Sequence, residues 1–361
     1  MRAELIEVAG LDLAHAAWPD LYAHDGSATA FSAPEWAAAW VASWEGGGTP
    51  WVLRVMDGST TRGLVPLALQ RRGPLRVLGM LGKEPGDYWD IVAADHDRGA
   101  VAAAAAAELQ RRAREWDLCI LSCLPPGSPS LESFQQAGLN VASRIPVRSP
   151  HIPLPSAFDA YLDALPRTRR ANLRRHLRRL DSGEVTMRAV TAMDDLPAAI
   201  ELWRSLRERQ WSAAGRRINP EHLTPAFAAF MQDAARRMIP RELASLTEFQ
   251  HAGRVVGMYL NFHDERAFYW YLGGFDPDVA SLGIGKIAVA AGIRSSIEAG
   301  RSSFDFTRGT EAYKYWYGAV DRELPSCVIG NDQPRSRVAH AIAMRAITRR
   351  DRDLTPGAAA T

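Results

Sequence analysis

The stretch Tyr269-Trp-Tyr-Leu-Gly-Gly-Phe-Asp-Pro-Asp-Val-Ala-Ser-Leu-Gly-Ile-Gly-Lys286 decides how the chain is read. Its aromatic opening continues a strand from Arg266 to Phe275, Asp276-Pro277-Asp278 turns the chain, and a helix from about Leu282 to Glu298 ends at Gly300. Glycines at 283 and 285 let backbone N–H groups approach an anion at the helix start, where the aligned peptide dipoles add about half a positive charge. Lys286 stands in that first turn, an unfavourable place for a cation unless an anion offsets it. The spacing is not that of a Walker loop, and the Rossmann fingerprint is incomplete.

Two further stretches gather charge. Phe304-Asp-Phe-Thr-Arg-Gly-Thr-Glu-Ala-Tyr-Lys-Tyr-Trp-Tyr-Gly318 sets Asp305, Arg308, Glu311 and Lys314 among Phe306, Tyr313, Trp316 and Tyr317. Acid, base and aromatic groups this dense suit a site, and a short strand is expected at Phe304–Phe306. Upstream, Leu165–Leu180 holds Arg167, Arg169, Arg170, Arg174, Arg175, Arg178 and Arg179 and no acid. Leu173, Leu177 and Leu180 recur at helical spacing, so one face packs and Arg170, Arg174 and Arg178 share another. Like charges at i, i+4 cost a few tenths of a kcal/mol per pair. Acids from elsewhere in the chain would relieve that cost, and so would a phosphate on a nucleotide, a tRNA or a saccharide, or an anionic surface.

Composition bounds the rest. The chain has 361 residues, 43 basic and 41 acidic, with a net charge of +2, so a general nucleic-acid coat is not expected. Only Lys83, Lys286 and Lys314 among the basic residues are Lys. Cys119, Cys123 and Cys327 are too few for a disulfide framework and read as buried thiols of a reducing cytoplasm. No apolar run reaches the roughly 18–20 residues of a membrane span, and Met1–Leu13 lacks a signal peptide's apolar core. The nine His are scattered without i, i+4 partners, so neither a metal centre nor a Ser-His-Asp triad is expected.

The length suggests two domains. A helix near Phe31–Trp40, strands at Trp51–Met56, Gly63–Gln70, Leu75–Leu81 and Tyr88–Ala93, an Ala-rich helix at Arg98–Trp116 and a strand at Asp117–Leu124 make the first, residues 1–150. The proline-rich Ile145–Pro155 reads as a bridge. Residues 151–332 repeat the order, with helices at Phe158–Ser182, Leu196–Trp211 and Pro225–Arg237 and strands at Val185–Val190, Ala244–Gln250 and Arg254–Asn261 before the quoted stretch. Residues 333–361 read as a basic helical tail ending in disorder. The expected fold is α/β (α+β), two tandem modules each with a mixed, mostly antiparallel sheet flanked by helices.

Phe31-Ser-Ala-Pro-Glu-Trp36, Pro66, Asp87-Tyr88-x-Asp90, the Arg-rich Leu173–Leu180, Tyr271-x-x-Gly274-x-Asp276-Pro277 and Asp305-Phe-x-x-Gly309-x-Glu311-x-Tyr313-Lys314 together resemble the GNAT acyltransferase superfamily. They look most like its CelD-like branch, associated with cellulose or exopolysaccharide biosynthesis and related to the Fem peptidoglycan-bridge transferases. The resemblance implies two GNAT-like modules and a cytoplasmic transferase moving an acyl group, acetyl first, from acyl-CoA to an amine or hydroxyl of a small-molecule or saccharide acceptor. It implies that Gly283, Gly285 and Lys286 hold the CoA diphosphate, although Ala280 stands where the family loop has Arg or Gln. It casts Asp305 or Glu311 as base and Tyr313 as acid, with Arg308, Lys314, Tyr271, Arg174 and Arg178 positioning the substrate. It leaves two alternatives, a Fem-like transferase using aminoacyl-tRNA and a non-catalytic GNAT-like binding protein.

Overall fold

A computed structural model describes residues 1–6, 17–43, 48–83, 85–215 and 219–353, without the side chains of Ile145 and of 346–353. In chain order the elements are β1 (Arg2–Ile6), α1 (Trp18–Ala23), α2 (Pro34–Ser43), β2 (Thr49–Asp57), β3 (Thr60–Arg72), β4 (Leu75–Met80), β5 (Val92–Ala93), α3 (Arg98–Arg111), β6 (Leu118–Leu121), α4 (Ser130–Gln136) and β7 (Asn140–Pro153). Then come α5 (Phe158–Ala164), α6 (Arg167–Asp181), β8 (Thr186–Ala189), α7 (Leu196–Ala213), α8 (Pro225–Met238), β9 (Ala244–His251), β10 (Arg254–His263), β11 (Ala267–Phe275), α9 (Ile284–Glu298), β12 (Ser303–Asp305), α10 (Ala312–Trp316), β13 (Val320–Gly330) and α11 (Pro334–Asp353). The described parts of 1–41, 45–147 and 323–361 form one compact unit, and those of 42–44 and 148–322 the other.

In the first unit the strand order is β1-β2-β3-β4-β6-β13, with β5 beside β3. Pairing is antiparallel except for the parallel step from β4 to β6, which α3 bridges. Val101, Ala102, Ala105, Ala106 and Leu109 of α3 are buried against the sheet, so the Ala-rich sequence serves close helix–sheet approach. The end of the chain also belongs here. Cys327 and Ile329 of β13 pair with Leu121 and Cys119, and Ala339 of α11 packs on Val77, Leu118 and Val328. Residues 323–332, expected in the second domain, thus complete the first, and the helix expected after residue 333 is α11, which packs through Ala339 and Ala343. The expected disorder at the very end lies outside the described residues.

In the second unit the order is β7-β12-β11-β10-β9-β8, antiparallel except for β11 with β12, which α9 connects. Two expectations change. The proline-rich bridge is instead strand β7, because proline's fixed φ suits extended chain and only its missing N–H restricts it. The single helix expected over 158–182 is two: Leu165 lies extended (φ −85°, ψ 149°) before Pro166, whose ring disfavours helical geometry one residue back.

The two units echo each other more closely than their sequences do. Each runs from an antiparallel meander through a long helix to a parallel strand. Two residues past that strand, at Cys123 and at Thr307, each has a non-glycine residue with positive φ (59° and 56°). The helix starts differ. Arg98 opens α3 and is buried in ion pairs with Asp25 and Asp90, whereas α9 opens on Gly283 and Gly285.

Candidate active site

Parallel pairing joins β11 to β12 only at Ala267–Ser303, Phe268–Phe304 and Tyr269–Asp305. Beyond it β11 runs on to Phe275 while β12 stops, so the two chains diverge. Asp305 makes that stop. Fully buried, it accepts hydrogen bonds from the Thr307 N–H (2.7 Å), the Ser149 hydroxyl (3.2 Å) and Arg322 (3.2 Å). Those bonds turn the chain at Thr307 into the left-handed region.

A cavity of about 730 Å³ fills the divergence, lined entirely by residues of the second unit. Among the expected site residues Tyr271, Gly283, Gly285, Lys286, Arg308, Glu311, Tyr313 and Lys314 line it. Asp305, Arg174 and Arg178 do not. Asp305 is spent on bracing the chain outside the cavity lining, and Arg174 and Arg178 are exposed on α6.

Gly283 has φ +72°, and a Cβ there would lie 2.4 Å from Cε1 of the His176 ring. It caps α9 in a conformation and a space that glycine alone fits, and the N–H groups at the helix start ahead of Lys286, whose own N–H donates to the Gly283 carbonyl, face outward as an anion would require. Lys286 lies one turn in, its Nζ 5.7 Å from the centre of the Trp316 ring. Burial, with Lys286 close by, holds His176 down to about 4, so its imidazole is neutral beside this anion cradle. The residues present fit a diphosphate.

Arg179 of α6 donates to the carbonyls of Ser281 (2.9 Å) and Leu282, so the loop without Arg at 280 is held by an arginine from a neighbouring helix. Ten residues earlier, Arg169 donates to the carbonyls of Tyr315 (3.0 Å) and Trp316 (3.2 Å). Arg170 pairs with Asp163. Part of the basic run is therefore structural.

On the other loop Lys314 is 3% exposed. Its ammonium donates to the carbonyls of Arg308 (2.8 Å) and Gly309 (2.9 Å) and pairs with Glu311 (2.9 Å). It locks the loop and does not reach out for substrate. Burial would raise the Glu311 carboxyl, but the hydrogen bond and charge of Lys314 outweigh it and hold the acid below its usual range. Tyr313 is 45% exposed, stands edge-on to Phe306, and is pushed up to about 12 by its partly buried setting and by the charge of Glu311. An ionised carboxylate and a firmly protonated phenol thus share one short segment.

The sequence reading missed Arg207, Gln210 and Trp211 of α7 and Tyr259 and Trp270 of the sheet, all of which line the cavity. Arg207 lies over Trp211 (4.4 Å) and donates to the Gly273 carbonyl (2.8 Å). The only sequence signal was an i, i+4 Arg–Trp pair on an amphipathic helix. Gly274 permits the close approach: a Cβ there would meet the Arg207 backbone N at 2.7 Å. Among the described residues, no group of three or more His, Cys, Asp or Glu could hold a metal ion, and no helix is long and apolar enough to cross a membrane.

Residues 167–315 match the profile of a family described as Acetyltransferase (GNAT) domain. Curated protein sequences give no match. Among solved structures, FemX superposes with a TM-score of 0.67 at 10% identity, covering 91% of this chain and 97% of that one. A conserved protein of unknown function from Bacteroides thetaiotaomicron VPI-5482 gives 0.54 at 12% identity over 91% and 99%. The C-terminal domain of a putative lysylphosphatidylglycerol synthetase from Agrobacterium fabrum gives 0.52 at 12% identity over 91% and 94%. The chain is thus similar in fold to FemX along almost its whole length, and its second unit has a GNAT acyltransferase-like fold.

Proposed function

We propose that the second unit transfers an acyl group from acyl-CoA to an amine or hydroxyl acceptor. The observation that carries this reading is the divergence of β11 from β12, which opens a cavity lined by the glycine-rich start of α9, Glu311 and Tyr313. A bound CoA thioester supplies an activated acyl carbon. Gly283, Gly285 and Lys286 hold its diphosphate. The Gly273 N–H, on the same strand edge as the carbonyl that Arg207 holds, donates to the acyl oxygen as charge develops there. Glu311, directly or through a water, takes the proton that the attacking group gives up, and Tyr313 returns one to the departing sulfur. The CelD-like resemblance adds saccharide amines and exopolysaccharide or cellulose precursors as acceptors, in the cytoplasm.

A second donor, aminoacyl-tRNA, is favoured by the likeness to FemX and by exposed Arg174, Arg175 and Arg178 on α6. Thermal unfolding with acetyl-CoA, longer acyl-CoAs and tRNA side by side separates the readings. A ligand of the folded state at a hundred times its Kd stabilises by about 2.7 kcal/mol. Stabilisation by CoA thioesters together with turnover supports the first reading. Stabilisation by tRNA alone, lost steeply as salt rises, supports the second. Binding without turnover leaves a non-catalytic GNAT-like protein.

A further inference from the structure

We infer that the acceptor is an amino carboxylate, its carboxylate held by Arg207 and one of its N–H groups by Gln210. The inference rests on the acyl-transfer reading for the word acceptor, and on two unpaired atoms for its chemistry. Arg207 Nε and Gln210 Oε1 are both buried, both without a hydrogen-bond partner, and both belong to residues lining the cavity. They stand three residues apart on α7, hence on one face. A buried donor or acceptor left unpaired costs about 1–3 kcal/mol, so the pair is a standing demand for a ligand that presents an acceptor beside a donor.

Charge narrows the class. Arg207 makes no ion pair within 4 Å among the described residues, although burial already works against its charge. The one carboxylate in the cavity lining, Glu311, is committed to Lys314. Glu311 acts on Arg207 only at longer range, so a sugar hydroxyl would add no charge there, whereas a carboxylate gives the cation a direct partner and matches the planar guanidinium. The anion cradle at Gly283–Lys286 serves the donor, which leaves Arg207 and Arg308 of the lining, and of these Arg207 is the one that holds a buried nitrogen without a partner. Its fixing by the Gly273 carbonyl and Trp211 means little side-chain freedom is lost on binding. Trp211, Trp270 and Tyr271 provide an aromatic wall for the rest of the molecule.

The test is thermal unfolding of the whole chain with glycine, leucine and phenylalanine, with their carboxamides, and with glucosamine, at about pH 6 where the amines are protonated. The amino acids with a free carboxylate are expected to stabilise, and their carboxamides to bind about tenfold more weakly or worse. Arg207→Gln is expected to abolish that difference while keeping the acetyl-CoA shift, and Arg207→Lys to restore part of it. Gln210→Leu, which leaves the guanidinium in place, is expected to weaken carboxylate binding and serves if Arg207→Gln does not fold. Equal response to acids and amides, response to glucosamine alone, no response to any of them, or an unchanged response in both variants overturns the inference. Loss of acetyl-CoA binding with carboxylate binding intact would instead overturn the acyl-CoA reading and leave this one standing.

Discussion

The ammonium of Lys314 lies 2.9 Å from the Glu311 carboxylate and closes at the same time on the carbonyls of Arg308 and Gly309. A compact point charge satisfies this cage, and a planar guanidinium does not fit it. Lys314→Arg is therefore expected to lower stability by about 1–3 kcal/mol and to lower turnover by freeing Glu311. Denaturant titration and steady-state kinetics measure the two effects, and undiminished activity would show that any cation serves at this position.

Tyr313→Phe removes the phenol and keeps the ring against Phe306. Turnover is expected to fall about 100-fold or more with donor affinity unchanged, the pattern of a lost proton donor. An unchanged kcat would assign protonation of the leaving group to another residue or to water.

Asp305→Asn tests a brace and not a base. The expected result is a lower unfolding midpoint from weakened bonds to Thr307, Ser149 and Arg322. Turnover per folded molecule should stay within a few-fold of the parent. A loss of several orders of magnitude in fully folded protein would return Asp305 to the chemistry.

Gly283→Ala places a methyl at φ +72° against the His176 ring. Left-handed strain alone costs about 1–2 kcal/mol. The variant should unfold earlier and bind acyl-CoA more weakly, whereas Gly300→Ala, where φ is +73° but the space is open, should show the strain and keep donor binding.

Burial and nearby cations hold His151, His176 and His263 down to about 4. The unfolded chain takes up protons near pH 6.5 that the folded chain refuses. Stability is thus complete above about pH 6.5 and falls as the pH drops towards 4. A series of denaturant midpoints across that window should show the decline, with a shallower slope in His176→Gln.

The strand–loop–helix of Tyr269–Lys286 was legible because turn glycines and a change of period are local signals. The loop around Glu311, Tyr313 and Lys314 was legible as a site for its density of charge, but its internal roles were not. Asp305 and Glu311 look equivalent in the sequence, and only the fold buries one under Thr307 and opens the other to the cavity. Arg207 and Gln210 were hidden for the opposite reason. On an amphipathic helix rich in arginine nothing distinguishes them from Arg204, which pairs with Glu201 at the surface. The seven arginines of α6 left open a face paired with distant acids and an anion site, yet Arg169 and Arg179 do neither and bind backbone carbonyls that lie far along the chain. Residues 323–332 were misassigned because strand pairing over 200 residues leaves no local trace.

Arg169 and Arg179 hold the rims of the two loops that bound the cavity, and ten residues of one continuous helix separate them. At 1.5 Å per residue that helix is a strut of about 15 Å. The two loops are thus riveted to one rigid rod, and moving either of them away from it means unfastening an arginine.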